Sequence, residues 1–285
     1  MSPFMTLSVL AHHAHTVFLF TKADIKTTFL PIILFAVAAA PVHSTAHALR
    51  AALWLWLHLL QFNVANQIYE IDEDAMNKPH RPLPSQRIDA QTARCLRWAL
   101  VPMCLVVSAL FSEQVVYASA AFAVLTLVYN ELHADAGFWL LRNTVNGLGF
   151  AAFEAGTTLL AGARCDILDA AAWLAIFQSA AILATTIQVQ DFKDVVGDAH
   201  VGRATFPLVS ESLARWSVII TLSSWSLVLA HIWELDSAST LFFGGLGVWI
   251  GVRFLFYRSI EADKASYNLY NVSLCRLIPP FVFSL

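Results

Sequence analysis

Apolar stretches of about twenty residues follow one another along almost the whole chain, and they limit what it can fold into. A run of that length crosses a bilayer as an α-helix, which satisfies its own backbone groups where water is absent. The pattern predicts nine spans, at residues 26–45, 48–70, 91–111, 114–132, 138–161, 168–190, 212–233, 238–257 and 265–285. Charge is scarce to match: 58% of the 285 residues are hydrophobic and 13% charged, where a soluble domain is about a quarter charged. No polar stretch is long enough to build a second domain. The expectation is an all-α integral membrane protein, residues 1–285 forming one polytopic domain.

The N-terminal MSPFMTLSVLAHHAHTVFLFTKADIKT has no basic residue ahead of its apolar part. It reads as a short interfacial helix over residues 1–25 rather than a signal peptide. Cys95, Cys104, Cys165 and Cys275 show neither CxxC nor regular spacing, so neither a disulfide framework nor a thiolate metal site is expected. The net charge of −3 is uninformative about partners, and no basic patch suits nucleic acid. Lys22 precedes the first span, and Lys78, Arg81, Arg87, Lys193, Arg203, Arg258 and Lys264 fall in the even-numbered connections, whereas the odd ones hold mainly Arg50 and Arg164. That bias places the even connections in the cytosol.

The second span enters this side at NVANQIYEIDEDAMNKPHRP. If the helix continues, Asn66, Glu70 and Asp74 lie at i, i+4 and i+8 on one face, flanked by Asn63 and Asn77. Asp72 then points elsewhere, Asp72 and Glu73 are bystanders, and Pro79 and Pro82 force the chain out of helix. The sixth span ends likewise in IQVQDFKDVVGDAHVGRATFP, with Asp191, Asp194 and Asp198 at i, i+3 and i+7 and Gly197 and Gly202 loosening the backbone. Acids at helix ends can simply be solvated. Two such stripes at one membrane face oppose the helix dipoles and repel each other unless a cation lies between them. Oxygen ligands suit Mg²⁺, which bridges carboxylates to phosphate oxygens, and Arg81, Lys193 and Arg203 stand where they could hold a diphosphate.

Tyr129, Asn130, Arg142, Asn146, Gln188, Tyr267 and Asn271 fall toward the same side, where each alone is also explained by helix–helix hydrogen bonding. Glu154 lies deeper, either a protonated helix-packing acid or a group lining the far end of the cavity. His58 and His231 have no partner at ligand spacing and read as packing residues.

The first segment resembles the first Asp-rich motif of the UbiA superfamily of intramembrane prenyltransferases, NDxxDxxxD followed by N-x-P-x-R-P. Asn66 falls on the family Asn, Glu70 on the middle Asp and Asp74 on the last, while Gln67 stands where the family has Asp. The second is similar to DxxDxxGD followed by G-x-x-T-x-P, matched by Asp191, Asp194, Gly197, Asp198, Gly202, Thr205 and Pro207. The resemblance implies a helical bundle with a central cavity open to the cytosolic side. It implies Mg²⁺ held by Asn66, Glu70, Asp74, Asp191, Asp194 and Asp198, and an isoprenyl diphosphate bound by Arg81, Lys193, Arg203, Tyr129, Arg142 and Asn146. Diphosphate would depart to leave an allylic carbocation within the lipid bilayer, shielded from water by the helices, with ring faces from 20 Phe, 9 Trp and 6 Tyr available to it.

What captures the cation separates two enzymes. A cyclase folds the chain so that its own distal double bond attacks; a transferase presents an aromatic or quinone-precursor acceptor. The form NQ…ED…NKPxRP resembles the divergent fungal branch that includes sesquiterpene cyclases, so a cyclase acting on farnesyl diphosphate is favoured, in the endoplasmic reticulum if the source is fungal. An ion-coupled transporter fits less well, since its site belongs near the midplane on broken helices.

Overall fold

The computed structural model describes residues 3–277, and every regular element in that range is helical. Helix α1 (Pro3–Thr21) leads through a 3₁₀ turn at Lys22–Asp24 and a π-helical turn at Ile25–Phe29 into α2 (Leu30–Ala39). The first expected span therefore ends at Ala39 instead of 45, because Pro41 excludes helix from the residue before it. Ser44 then caps α3 (Thr45–Tyr69), accepting from the His47 amide. Short α4 (Ile71–Asn77) follows, then α5 (Ala90–Ala109), α6 (Glu113–Asn130), α7 (Trp139–Ala161) and α8 (Ala170–Thr186). A 3₁₀ stretch, Ile187–Lys193, extends α8 into α9 (Val195–His200). The chain finishes with α10 (Phe206–Val209), α11 (Glu211–Ile232), α12 (Ser237–Phe256) and α13 (Ile260–Leu277). Residues 278–285 of the ninth expected span and the Cys275 side chain lie outside what is described.

The starts of α5, α6, α8 and α12 carry side-chain caps from Asp89, Ser112, Asp169 and Asp236, so each apolar run begins where a polar residue takes up free amides. Among the described residues, four helical segments are long and apolar enough to cross a membrane by composition: Ala90–Ala109, Ala170–Lys193, Glu211–Ile232 and Ser237–Phe256. Helices α3, α6, α7 and α13 coincide with expected spans but are less apolar, and α1 falls in the segment expected to be interfacial. In α3, His58, Gln61, Asn63 and Gln67 are all buried inside the bundle. The outer surface is apolar, with Leu53, Val106, Phe177, Ile220, Leu227 and Leu241 exposed, as a lipid-facing bundle requires.

Helix α7 lies at the centre, packed by α2, α3, α6 and α8. Its small residues permit this: a Cβ on Gly156 would fall 2.2 Å from the Trp54 ring, and one on Gly147 2.6 Å from the Ala180 carbonyl oxygen. Arg50 at the start of α3 donates from Nε to Leu160 O (2.8 Å) at the end of α7, so these helices run antiparallel. One end of the bundle thus holds Arg50; the other holds the end of α3, the start of α7 and both acidic segments. The α11–α13 side is joined by Arg215, whose Nη1 and Nη2 each lie 3.0 Å from a carboxylate oxygen of Asp263.

Candidate active site

The first acidic segment is not one continuous helix. Regular α3 stops at Tyr69, Glu70 leaves helical geometry at φ −102° and ψ 21°, and α4 restarts at Ile71. The predicted i, i+4, i+8 stripe is therefore broken. Asn66, Glu70, Glu73 and Asn77 face a shared cavity, while Asp74 sits behind them, fully buried, with Arg81 Nη1 2.8 Å from both carboxylate oxygens. Glu73, expected to be a bystander, is only 3% exposed and ion-pairs with Arg203 at 2.6 Å; Asp72 is exposed as expected.

The second segment is also reset, by its 3₁₀ turn and by Asp194 at φ −106° and ψ 5°. Asp194, in contact with Lys193, and Asp198 line the cavity. Asp191 lies behind the wall, paired with Arg142 Nη1 at 2.7 Å. Gly197 is where α9 meets α4, since an added Cβ would fall 2.1 Å from Asn77 Nδ2. Gly202, at φ +72°, makes the turn that returns the Arg203 amide to Asp198 O (2.9 Å).

That turn delivers Arg203 to the centre. Its Nη2 reaches Glu70 at 3.0 Å and Asp135 at 3.3 Å; its Nη1 reaches Glu73 at 2.6 Å and Asp198 at 3.0 Å. One guanidinium thus ties four carboxylates from three segments, as its forked donors allow. Burial and the charge of Glu70 push Glu73 up to about 7, and burial together with Asp191 pushes Asp198 up to about 6. Asp135 and the cavity-lining Lys264 were not anticipated as site residues. For Asp135 the available signal was the polar ELHADAG loop at the same bundle end.

The cavity encloses about 660 Å³. Lys78, Arg81, Arg142, Lys193 and Arg203 line it along with the acids, and Tyr129, Asn146, Tyr267 and Asn271 are also in its wall. Ile32, Phe35, Phe62, Phe150, Leu183 and Leu229 give it an apolar lining as well. Other polar residues pack the bundle: Gln188 accepts from Asn143 at 3.3 Å, Asn130 donates to Thr126 O, and His58 stacks on Trp54 and contacts Ser119 at 2.7 Å.

Gln67 does not face the cavity. It is 1% exposed, and its Nε2 donates to Phe20 O at 3.1 Å, beside Asn63 Nδ2 donating to the same oxygen at 3.0 Å. At the position where the family motif has a carboxylate, this chain anchors the end of α1.

Among the described residues no three His, Cys, Asp or Glu side chains are arranged to hold a metal by themselves, and Asp74, Asp191 and Asp198 are each paired with an arginine. The donor chemistry nevertheless fits a hard divalent cation. Asn66 Oδ1, Asp191 Oδ2 and Asp198 Oδ2 are buried oxygens without a hydrogen-bond partner, and the Asn66 amide nitrogen is engaged by Glu70.

A transmembrane bundle enclosing a cavity with carboxylates, amides and cations at its polar part describes a class of intramembrane enzymes, and comparison identifies the class. The model of the UbiA prenyltransferase family matches residues 28–273, and the chain belongs to that family. It is 32% identical to the fumagillin β-trans-bergamotene synthase af520 of Aspergillus fumigatus, an alignment covering 90% of this chain and 87% of that one. It is 26% identical to the polyprenyl transferase eriF of Hericium erinaceus, with 94% of each chain covered. The fold is shared with a UbiA homologue of Archaeoglobus fulgidus solved with GPP and Mg²⁺: TM-score 0.66, 16% identity, 92% of this chain and 99% of that one. The protein is a UbiA-type membrane enzyme, a terpene cyclase or prenyltransferase.

Proposed function

We propose that this enzyme ionises farnesyl diphosphate in its cavity and closes the resulting cation on itself to give a cyclic sesquiterpene. The observation that carries this is the composition of one enclosed space, which joins a cluster of arginines, lysines and acids to an apolar, aromatic-lined interior. The similarity to a bergamotene synthase over 90% of the chain supports cyclisation over transfer.

Arg81, Lys193 and Arg203, with Arg142, Tyr129 and Asn146 beside them, would hold the diphosphate. As the allylic C–O bond breaks, the electron pair leaves with diphosphate, and these fixed cations neutralise the growing charge where water is excluded. Of the six expected metal ligands, Asn66, Glu70, Asp194 and Asp198 face the cavity, while Asp74 and Asp191 stand behind it and orient Arg81 and Arg142. Asn66, Glu70, Asp194 and Asp198 would hold Mg²⁺, which supplies Lewis-acid neutralisation of the leaving diphosphate. Phe62, Phe150 and Tyr267 line the cavity, where their rings would stabilise a cation.

The frame we propose is one domain over residues 1–285 with nine membrane crossings. Its acidic end faces the cytosol by the charge bias of the connections, in the endoplasmic reticulum if the source is fungal. Purified protein incubated with Mg²⁺ and farnesyl diphosphate alone is expected to yield a cyclic hydrocarbon or alcohol in a hexane extract. Turnover only after an aromatic acceptor is added would overturn cyclisation and favour the transferase, the reading that similarity to eriF supports.

A further inference from the structure

Two acids in the cavity wall, Asp24 and Glu154, belong to neither motif, and Asn63 holds the first of them. Glu154, on α7, is 3% exposed and lines the cavity. Its Oε1 accepts from Ser179 Oγ at 2.6 Å, and its Oε2 is buried without a hydrogen-bond partner. Among the described residues no arginine or lysine forms an ion pair with it, unlike the acids at the other end, which Arg81, Arg142 and Arg203 neutralise. Two helices fix its depth independently. Glu154 follows Arg142 by twelve residues on α7, and Ser179 precedes Asp191 by twelve on the antiparallel α8 and its 3₁₀ extension. At 1.5 Å per residue along α7 that is about 18 Å from the Arg142–Asp191 pair. A lone acid at such depth is expensive to keep and is ordinarily retained for function.

We infer that Glu154 is the catalytic base that ends the cyclisation. The inference rests on the cyclase reading above. A prenyl chain anchored by its diphosphate among the arginines extends its distal isoprene unit toward Glu154. After diphosphate departs with the C–O electron pair, the distal π bond attacks the allylic cation, a carbon–carbon bond forms, and positive charge moves to the distal part of the chain. Glu154, which must enter the cycle as its carboxylate, then takes through Oε2 a proton from the carbon beside that cation, and the C–H electron pair becomes the new double bond. As product leaves, the proton passes to water and diphosphate, so the net change is a diphosphate ester converted to an olefin and hydrogen diphosphate. Ser179 donates to Oε1 and orients Oε2 toward the substrate, and Gln178 beside it is held by Trp233 Nε1 at 2.9 Å.

The test uses full-length protein in lipid nanodiscs with Mg²⁺ and farnesyl diphosphate, measuring released diphosphate and the product profile together. Glu154→Gln keeps the shape and the Ser179 hydrogen bond but removes the base. We expect the ratio of the native cyclic olefin to diphosphate released to fall at least tenfold, replaced by water-quenched alcohols or isomers with the double bond elsewhere. Glu154→Asp should restore part of the native olefin, which a purely packing role would not produce. Ser179→Ala, which leaves the carboxylate in place, should broaden the product mixture. An unchanged olefin-to-diphosphate ratio in Glu154→Gln overturns the inference alone. Wild-type protein that releases no diphosphate without an acceptor overturns the cyclase reading and the base with it.

Discussion

The contact between Gly197 and Asn77 decides whether α4 and α9 can bring their acids to one arginine. A Cβ at 197 would lie 2.1 Å from Asn77 Nδ2, 2.7 Å from its Cγ and 3.0 Å from its Oδ1, whereas relaxed contact begins at about 3.5 Å. Gly197→Ala therefore pushes Asn77 out of its slot or parts the two helices. Asn77 Nδ2 has no hydrogen-bond partner to lose, so the cost is overpacking, about 1–3 kcal/mol. Parting them moves Glu73 away from Asp198, which Arg203 bridges at 2.6 and 3.0 Å, and a misplacement of about 1 Å in such a site can cost about a hundredfold in rate. The assay is thermal inactivation and turnover of Gly197→Ala, Asn77→Ala and the double variant. Trimming Asn77 makes room for the new methyl, so the double variant should recover most of the stability lost by Gly197→Ala, a coupling of about 1–3 kcal/mol. A Gly197→Ala protein as stable and active as wild type would refute this account of the glycine. So would a double variant no better than the single one.

Asp191→Ala and Asp194→Ala should each abolish turnover while the protein still elutes as a folded species; near wild-type activity in either would remove the second motif from the metal site. Gln67→Asp, which restores the family residue, should leave the Mg²⁺ dependence unchanged and lower stability by about 1–3 kcal/mol, because a carboxylate would replace the donor to Phe20 O. A shifted Mg²⁺ dependence would mean that position 67 reaches the metal. Arg215→Met strands buried Asp263 and should cost about 3–5 kcal/mol in thermal stability with no change in Mg²⁺ dependence. A variant that kept wild-type stability would show that the Arg215–Asp263 pair does not hold α11 to α13.

The helices were legible because lipid imposes their length: expected edges such as 114–132 and 138–161 fall within a residue or two of α6 and α7. Both acidic segments were legible for a related reason, since charge beside lipid is costly and stands out. The orientation of individual acids within them was not. A stripe at i, i+4, i+8 presumes unbroken helix, and neither Glu70 nor Asp194, where the helices reset, is glycine or proline. The break at Glu70 turns Glu73 inward, and what holds it there is Arg203, 130 positions further along the chain. No local periodicity encodes such a partner, and Asp135 was hidden for the same reason.

Gln67 shows most clearly where reading along the chain stops. In sequence it is a missing carboxylate inside a metal motif, and the natural question concerns metal charge. In space its side chain leaves the cavity and, with Asn63, holds the Phe20 carbonyl near the end of α1 against α3, while Trp56 Nε1 reaches Thr21 Oγ1 at 3.1 Å and Arg87 Nε reaches Thr16 Oγ1 at 2.8 Å. The linker after α1 places Asp24 in the cavity wall, held by Asn63 Nδ2 at 2.8 Å. A carboxylate at 67 would repel the Phe20 carbonyl and loosen that helix at the cavity's polar end. The amide is therefore accounted for by the docking of α1, whichever way the cation is captured.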